Sequence, residues 1–138
     1  MTLKKLYWRL VDRRVRKLAP EWESRLGATA LRLNVESYIR FRAGWLTAVI
    51  GAAVLYPAIW FGMPASVAFP LVLVVVILSS SLIFSAIPVT KRHMKATTDH
   101  LGLPEKPEIT LKAMQSPANF DMWLLETREH HHLMNDEK

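Results

Sequence analysis

The side chains best suited to chemistry in this sequence are its five histidines, three of which are consecutive near the C-terminus. Consecutive residues on a helix point about 100° apart, so His130, His131 and His132 cannot converge on one ion. Glu129 and His132 have the E-x-x-H spacing of helical di-iron sites, but such sites need two further glutamates and a second E-x-x-H, which this chain lacks. We therefore expect no metal site and a solvated, charged tail.

Other catalytic patterns are also missing from the sequence. The chain has no Cys, which excludes a thiol nucleophile, a disulfide scaffold and a Cys-based metal centre. It has no Gly-rich phosphate loop and no G-x-S-x-G or H-E-x-x-H motif. Its most apolar region has no carboxylate, Lys, Arg or His, which argues against a proton relay or a binding site for a transported ion. We therefore expect a non-catalytic protein without a cofactor.

That apolar region sets the class of protein, because every residue from 43 to 90 is uncharged. A helix needs about 20 apolar residues to cross a bilayer, so the run fits two crossings better than one. Gly and Pro within residues 62–66 break the run, and Ser66 is suited to cap the second helix. The sequence predicts an all-α membrane protein in which residues 43–88 form a transmembrane helical hairpin, with spans at about 43–62 and 66–88.

The charges that flank the hairpin predict its orientation. Residues 1–42 are strongly basic, and a second basic cluster follows the hairpin, whereas the connecting turn is uncharged. Because cytoplasmic segments carry the excess of Lys and Arg, both termini are expected in the cytoplasm and the turn on the far side. We expect an integral protein of the bacterial inner (cytoplasmic) membrane, or of an organellar membrane with the termini in the matrix or stroma.

Residues 1–42 have the apolar spacing of amphipathic helices with a basic opposite face. Pro20 is expected to end a first helix, and a second is expected to begin near Glu21 and to run into the first span. We expect these helices to lie at the membrane interface and to contact anionic lipids. A protein partner is the alternative, and nucleic acid is not expected because no recognition motif is present. The predicted membrane-surface residues are Lys4, Lys5, Arg9, Arg13, Arg16, Lys91 and Arg92.

Residues 89–138 comprise the basic stop segment, a linker with two prolines at 102–107, and an acidic tail helix that begins at Ser116 and Pro117. Phe120, Trp123 and Leu124 lie along one face of this helix, which needs a partner. The candidates are the N-terminal helices, another copy of the chain or another subunit.

Small residues recur every four positions in both predicted spans. An antiparallel hairpin brings the two sets to the same depth, where they favour close helix packing and interhelical serine hydrogen bonds. The packing is expected within the hairpin, with self-association or a partner's helix as the alternative. The predicted helix-packing residues are Gly44, Ala48, Ala52, Ser81 and Ser85.

Two functions from different classes fit these features. The first is a non-catalytic accessory or scaffold subunit of a membrane protein assembly, which binds the bilayer and associates with itself or with other membrane subunits. The second is an oligomeric membrane-permeabilising protein, a holin-like or toxin pore, because the serines of the second span could line a water-filled channel. The hydroxyls are confined to the inner half of the bilayer and residues 69–76 are apolar, which favours the scaffold.

Overall fold

The computed structural model describes residues 2–103 and 112–136, with side chains as far as residue 130. These residues form helices and no β-strand, which confirms the all-helical prediction. The elements in chain order are α1 (Leu3–Leu26), α2 (Ala28–Trp60), α3 (Ala65–Leu101), a 3-10 turn (Ala113–Gln115) and α4 (Pro117–Asp136).

Helices α2 and α3 are the two longest elements of the structure. Their 33 and 37 residues give lengths of about 50 and 55 Å, well beyond the roughly 30 Å of a bilayer core. Both are long and apolar enough to cross a membrane. The predicted second span, 66–88, is therefore part of the longer helix α3, whereas the first, 43–62, begins inside α2 and extends two residues past its end at Trp60.

A short turn at residues 61–64 reverses the chain between α2 and α3. Gly62 adopts a φ of +97°, which is accessible to glycine and strained for other residues. Pro64 holds the N-cap position of α3, and no side chain caps this end. The expected cap by Ser66 is therefore wrong, since Ser66 already lies within the first turn of the helix.

Burial divides the protein into two parts. The first, which we call the head, consists of α1, residues 28–42 of α2, residues 89–101 of α3, the 3-10 turn and α4. The second, which we call the stem, consists of residues 43–60 and 65–88. The head contains the main cluster of buried apolar side chains, which are Val11, Trp22, Leu26, Ala30, Leu31, Val35 and Phe120. Most large apolar side chains of the stem are exposed.

Helix α1 is longer than the sequence predicts, because Pro20 lies inside it and Gly27 ends it. Proline removes one helical hydrogen bond, but buried Trp22 and Leu26 hold the following turns against the head core. Gly27 has φ +81° and ψ 152°, a conformation almost restricted to glycine. The second helix consequently begins at Ala28 and not near Glu21.

The break at Gly27 lets α1 fold back along α2. Tyr7 lies 3.4 Å from Arg40, whereas Asp12 pairs with Arg32 at 3.3 Å. This order shows antiparallel packing, with the N-terminal turns of α1 nearest the stem. Of the apolar face of α1, Val11, Val15 and Leu18 pack in the head core. Leu3, Leu6 and Leu10 of the same face are exposed, and their contact with a membrane surface stays a prediction.

The stem helices approach closely at two glycines. A Cβ atom added at Gly44 would lie 2.6 Å from Ile83 Cγ1 and 2.9 Å from the carbonyl oxygen of Ser79. An added Cβ at Gly51 would overlap the side chain of Val75. These contacts let the two backbones approach each other as small residues do in membrane helix pairs.

The predicted small-residue set is only partly on this contact face. Gly44 is buried, Ala48 and Ser85 are half-buried, and Ala52 and Ser81 are exposed. The hydroxyl of Ser85 donates to Leu82 O within its own helix, so it does not supply the expected interhelical bond.

Replacing Gly44 by Leu should therefore destabilise the protein. Ala52→Leu should not, because Ala52 follows the contact residue Gly51 but is itself exposed. Overpacking at Gly44 should cost about 1–3 kcal/mol, and the exposed site less than about 0.5 kcal/mol. Thermal unfolding of the purified variants in one detergent measures both. Equal melting temperatures for the two variants would show that the helices do not meet at Gly44.

Candidate functional site

The tail helix α4 docks onto the N-terminal helices of its own chain. Phe120 is fully buried, with its ring edge-on to Trp22 at a centroid distance of 5.8 Å. Trp123 stacks at a tilt on Phe120, and Leu124 packs against the same core. The three residues predicted to dock a partner therefore use the first of the expected candidates, and Phe120 is no free surface for another subunit.

A local cap starts α4, and a salt bridge to α1 orients it. The hydroxyl of Ser116 accepts a hydrogen bond from the backbone N–H of Asn119 at 3.2 Å, so Ser116 caps the helix and Pro117 is its first residue, as predicted. Asp121 receives two hydrogen bonds of 2.9 Å from Arg25 on α1. This bond lowers the pKa of Asp121 below its ordinary value. The pair is exposed, so it fixes geometry more than it adds stability.

A layer of polar side chains joins α2 to α3 within the head, next to the stem. His93 is buried and its Nδ1–H donates to the carbonyl oxygen of Ala30 at 2.9 Å. With Nδ1 as donor, Nε2 accepts from the amide of Asn34 at 3.4 Å. Burial lowers the pKa of His93 below its ordinary value of 6.5, so the ring is neutral at pH 7.

Arg40 connects three helices at the stem end of this layer. Its guanidinium donates to Glu36 on α2, to the Tyr7 hydroxyl on α1 and to the carbonyl oxygen of Ser85 on α3. Glu36 is itself nearly buried. A buried carboxylate without its partner is strongly destabilising, so Arg40 and Glu36 act as one unit.

One further hydrogen bond completes the layer. The hydroxyls of Ser37 on α2 and Thr90 on α3 lie 2.5 Å apart. Among the described side chains, no buried nitrogen or oxygen lacks a hydrogen-bond partner. The buried polar groups of the layer thus find their hydrogen-bond partners within the protein, and these bonds hold α2 and α3 together.

The predicted membrane-surface cations are all exposed, five of them on α1 and two on α3. Contact of Tyr7 with Arg40 places Lys4, Lys5 and Arg9 near the stem. Arg16, beyond the pair of Asp12 with Arg32, lies farther from it. Arg13 lies between these positions on α1, whereas Lys91 and Arg92 follow the stem on α3.

The histidine cluster in the tail offers no described metal site. Within residues 2–103 and 112–130, no group of three or more His, Asp or Glu side chains is placed to hold an ion. His130 is exposed, and the side chains of His131 and His132 lie outside the described residues.

Sequence reasoning missed His93, Arg40 and Gly51. His93 and Arg40 lie among flanking cations, whose charge in the sequence predicts only topology. His93 bonds to Ala30, 63 residues away, and Arg40 bonds to Tyr7 and Ser85, 33 and 45 residues away. Gly51 had a usable signal, because it follows Gly44 by seven residues and hence lies on the same helix face.

The buried histidine makes the head sensitive to acid. Because the pKa of His93 is lower in the folded protein than in the unfolded chain, the unfolded chain binds a proton more readily below about pH 6.5. The free energy of unfolding should fall from that pH downwards, by at most about 1.4 kcal/mol per pH unit. Denaturant unfolding followed by tryptophan fluorescence should show this slope.

His93→Gln should remove this contribution, whereas His130→Gln, which changes an exposed ring, should retain it. A slope that persists in His93→Gln and disappears in His130→Gln would contradict the assignment.

No family model, curated protein sequence or solved structure matches this chain.

Proposed function

We propose that this chain is a non-catalytic accessory or scaffold subunit of a membrane protein assembly. In this proposal the stem spans a bacterial inner membrane as a helical hairpin, and the head and both termini lie in the cytoplasm. The main support for this proposal is the contrast in burial between a head with its own apolar core and a stem whose apolar side chains face outwards.

The exposure of the stem supports insertion into lipid. Val54 is 63% exposed, Phe84 66% and Phe69 73%, on a surface that continues around both helices. The core helix of a water-soluble protein would have most of its residues buried, but few residues of these two apolar segments are. Large contiguous apolar surfaces normally face lipid or another protein.

Charges and aromatic residues support the orientation. The connecting turn is uncharged, and Tyr56, Trp60 and Phe61 lie beside it. Trp45 lies at the other end of the stem, close to the cations of the head. Aromatic side chains at both ends and basic side chains at one end are typical of a membrane helix pair with that basic end in the cytoplasm.

The geometry supports a scaffold more than a pore. Ser79 is buried in the stem, and its hydroxyl donates to Val76 O in its own helix. Outside the head core, α4 exposes Met122 and Leu125, and the stem exposes its apolar surface, so surfaces remain for another copy or another subunit. Because α2 and α3 continue from stem to head, a partner held by either part is fixed relative to the membrane.

The absence of native Cys permits a clean test of insertion and topology. Single-cysteine variants Thr2→Cys, Ser66→Cys and Ala118→Cys are expressed in a bacterial host and treated with a membrane-impermeant maleimide; all three positions are exposed. We expect labelling of Ser66→Cys in intact spheroplasts, and of the other two only after permeabilisation. The cysteine-free parent is the control for background.

The proposal also predicts that the protein stays in the membrane pellet after alkaline carbonate treatment and that expression leaves the membrane potential unchanged. Release by carbonate, or labelling of Ala118→Cys from outside, would contradict the proposed insertion. Rapid depolarisation with a ladder of self-crosslinked species would contradict the scaffold and support the oligomeric pore.

A further inference from the structure

Two arginines share one aromatic ring where the head meets the stem. The guanidinium carbon of Arg14, on α1, lies 4.2 Å from the centroid of the Tyr38 ring. That of Arg42, on α2, lies 5.8 Å from the same centroid, and its Nη1 donates to the Tyr38 hydroxyl at 3.0 Å. Tyr38 thus holds two cations at one place on the surface.

These two cations have no carboxylate partner among the described residues, whereas Arg25, Arg32 and Arg40 each have one. Like charges gathered on one ring repel each other, and an anion between or beside them removes that cost. An Arg pair with free N–H donors is also the arrangement that binds phosphate oxygens well.

The surface on either side of Tyr38 has opposite character. Towards the stem, Phe41, Trp45, Leu46 and Val49 line an apolar groove of about 280 Å³ along the outer face of α2. Towards the head, Asn34 and Gln115 contribute to a more polar cavity of about 260 Å³, which Arg14 also lines. Tyr38 borders both spaces.

The position matches the level of lipid phosphates in the proposed orientation. Arg42 is the last charged residue before the uncharged run, and Tyr38 lies one helical turn behind it. Cytoplasmic leaflets carry anionic lipids, to which cations at this level are attracted.

We propose that the cluster of Arg14, Tyr38 and Arg42 is a binding site for one anionic phospholipid. Its phosphate contacts the two guanidinium groups, its polar headgroup enters the cavity beside Asn34, and an acyl chain follows the groove beside Trp45 and Val49. The site rests on the proposed membrane function, but it can be measured separately from insertion.

The test is native mass spectrometry of the full chain, purified in detergent and titrated with phosphatidylglycerol or phosphatidylcholine. We expect the wild type to bind phosphatidylglycerol preferentially, with one high-affinity molecule per chain. R14Q/R42Q should weaken that binding about tenfold or more, since two cations at headgroup level are removed. The control K17Q/K95Q likewise removes two exposed cations, one from α1 and one from α3, and should stay within about twofold of the wild type.

Equal losses in R14Q/R42Q and K17Q/K95Q, or equal binding of the two lipids by the wild type, would overturn the site. Inorganic phosphate that displaces phosphatidylglycerol at millimolar concentration would show an anion site without lipid specificity and would also overturn it. Val49→Trp, which fills the groove and keeps both arginines, should weaken phosphatidylglycerol binding, and unchanged binding by this variant overturns the site if R14Q/R42Q fails to fold. Because titration is in detergent, failure here leaves the carbonate and labelling results for insertion unaffected.

Discussion

The antiparallel contact between α2 and α3 is the interaction on which the rest of the structure depends. It runs without interruption from the turn at 61–64 through the stem and into the head. Gly44 and Gly51 set the distance between the helices in the stem. Beyond residue 90, His93 and its hydrogen bond to Ala30 continue the same contact in the head. Helix α1 packs along this pair, and α4 in turn packs on Trp22 and pairs with Arg25 of α1.

The forces along this contact change at the boundary between stem and head. For a stem that lies in lipid, as proposed, apolar side chains gain nothing by leaving the solvent, so close backbone approach and dispersion must hold the two helices together. For a head in water, burial of Leu26, Leu31 and Phe120 drives its assembly. Arg40 lies between the two regimes and ties α1, α2 and α3 together with hydrogen bonds. Because α2 and α3 each run through both parts, the head is held in a fixed position relative to the stem.

The features that the sequence predicts correctly are local ones. The helical content and the start of α4 follow from composition and from the pair Ser116-Pro117, which needs no distant contact. The end of α1 was missed because Pro20 is the stronger local signal, whereas tertiary packing of Trp22 and the conformation of Gly27 decide the boundary. The apolar face of α4 is visible in the sequence, but nothing local indicates that Phe120 packs on Trp22, almost a hundred residues away.

The most direct measurement of the central claim is a depth profile along α2 by spin labelling in phospholipid vesicles. Nitroxides are placed at exposed positions by Thr29→Cys and Arg32→Cys in the head and by Val49→Cys and Ala53→Cys in the stem. The account predicts frequent collisions with a water-soluble nickel complex at the head positions and with dissolved oxygen at the stem positions. Equal access of the nickel complex at all four positions would contradict it, because α2 would then lie entirely in water.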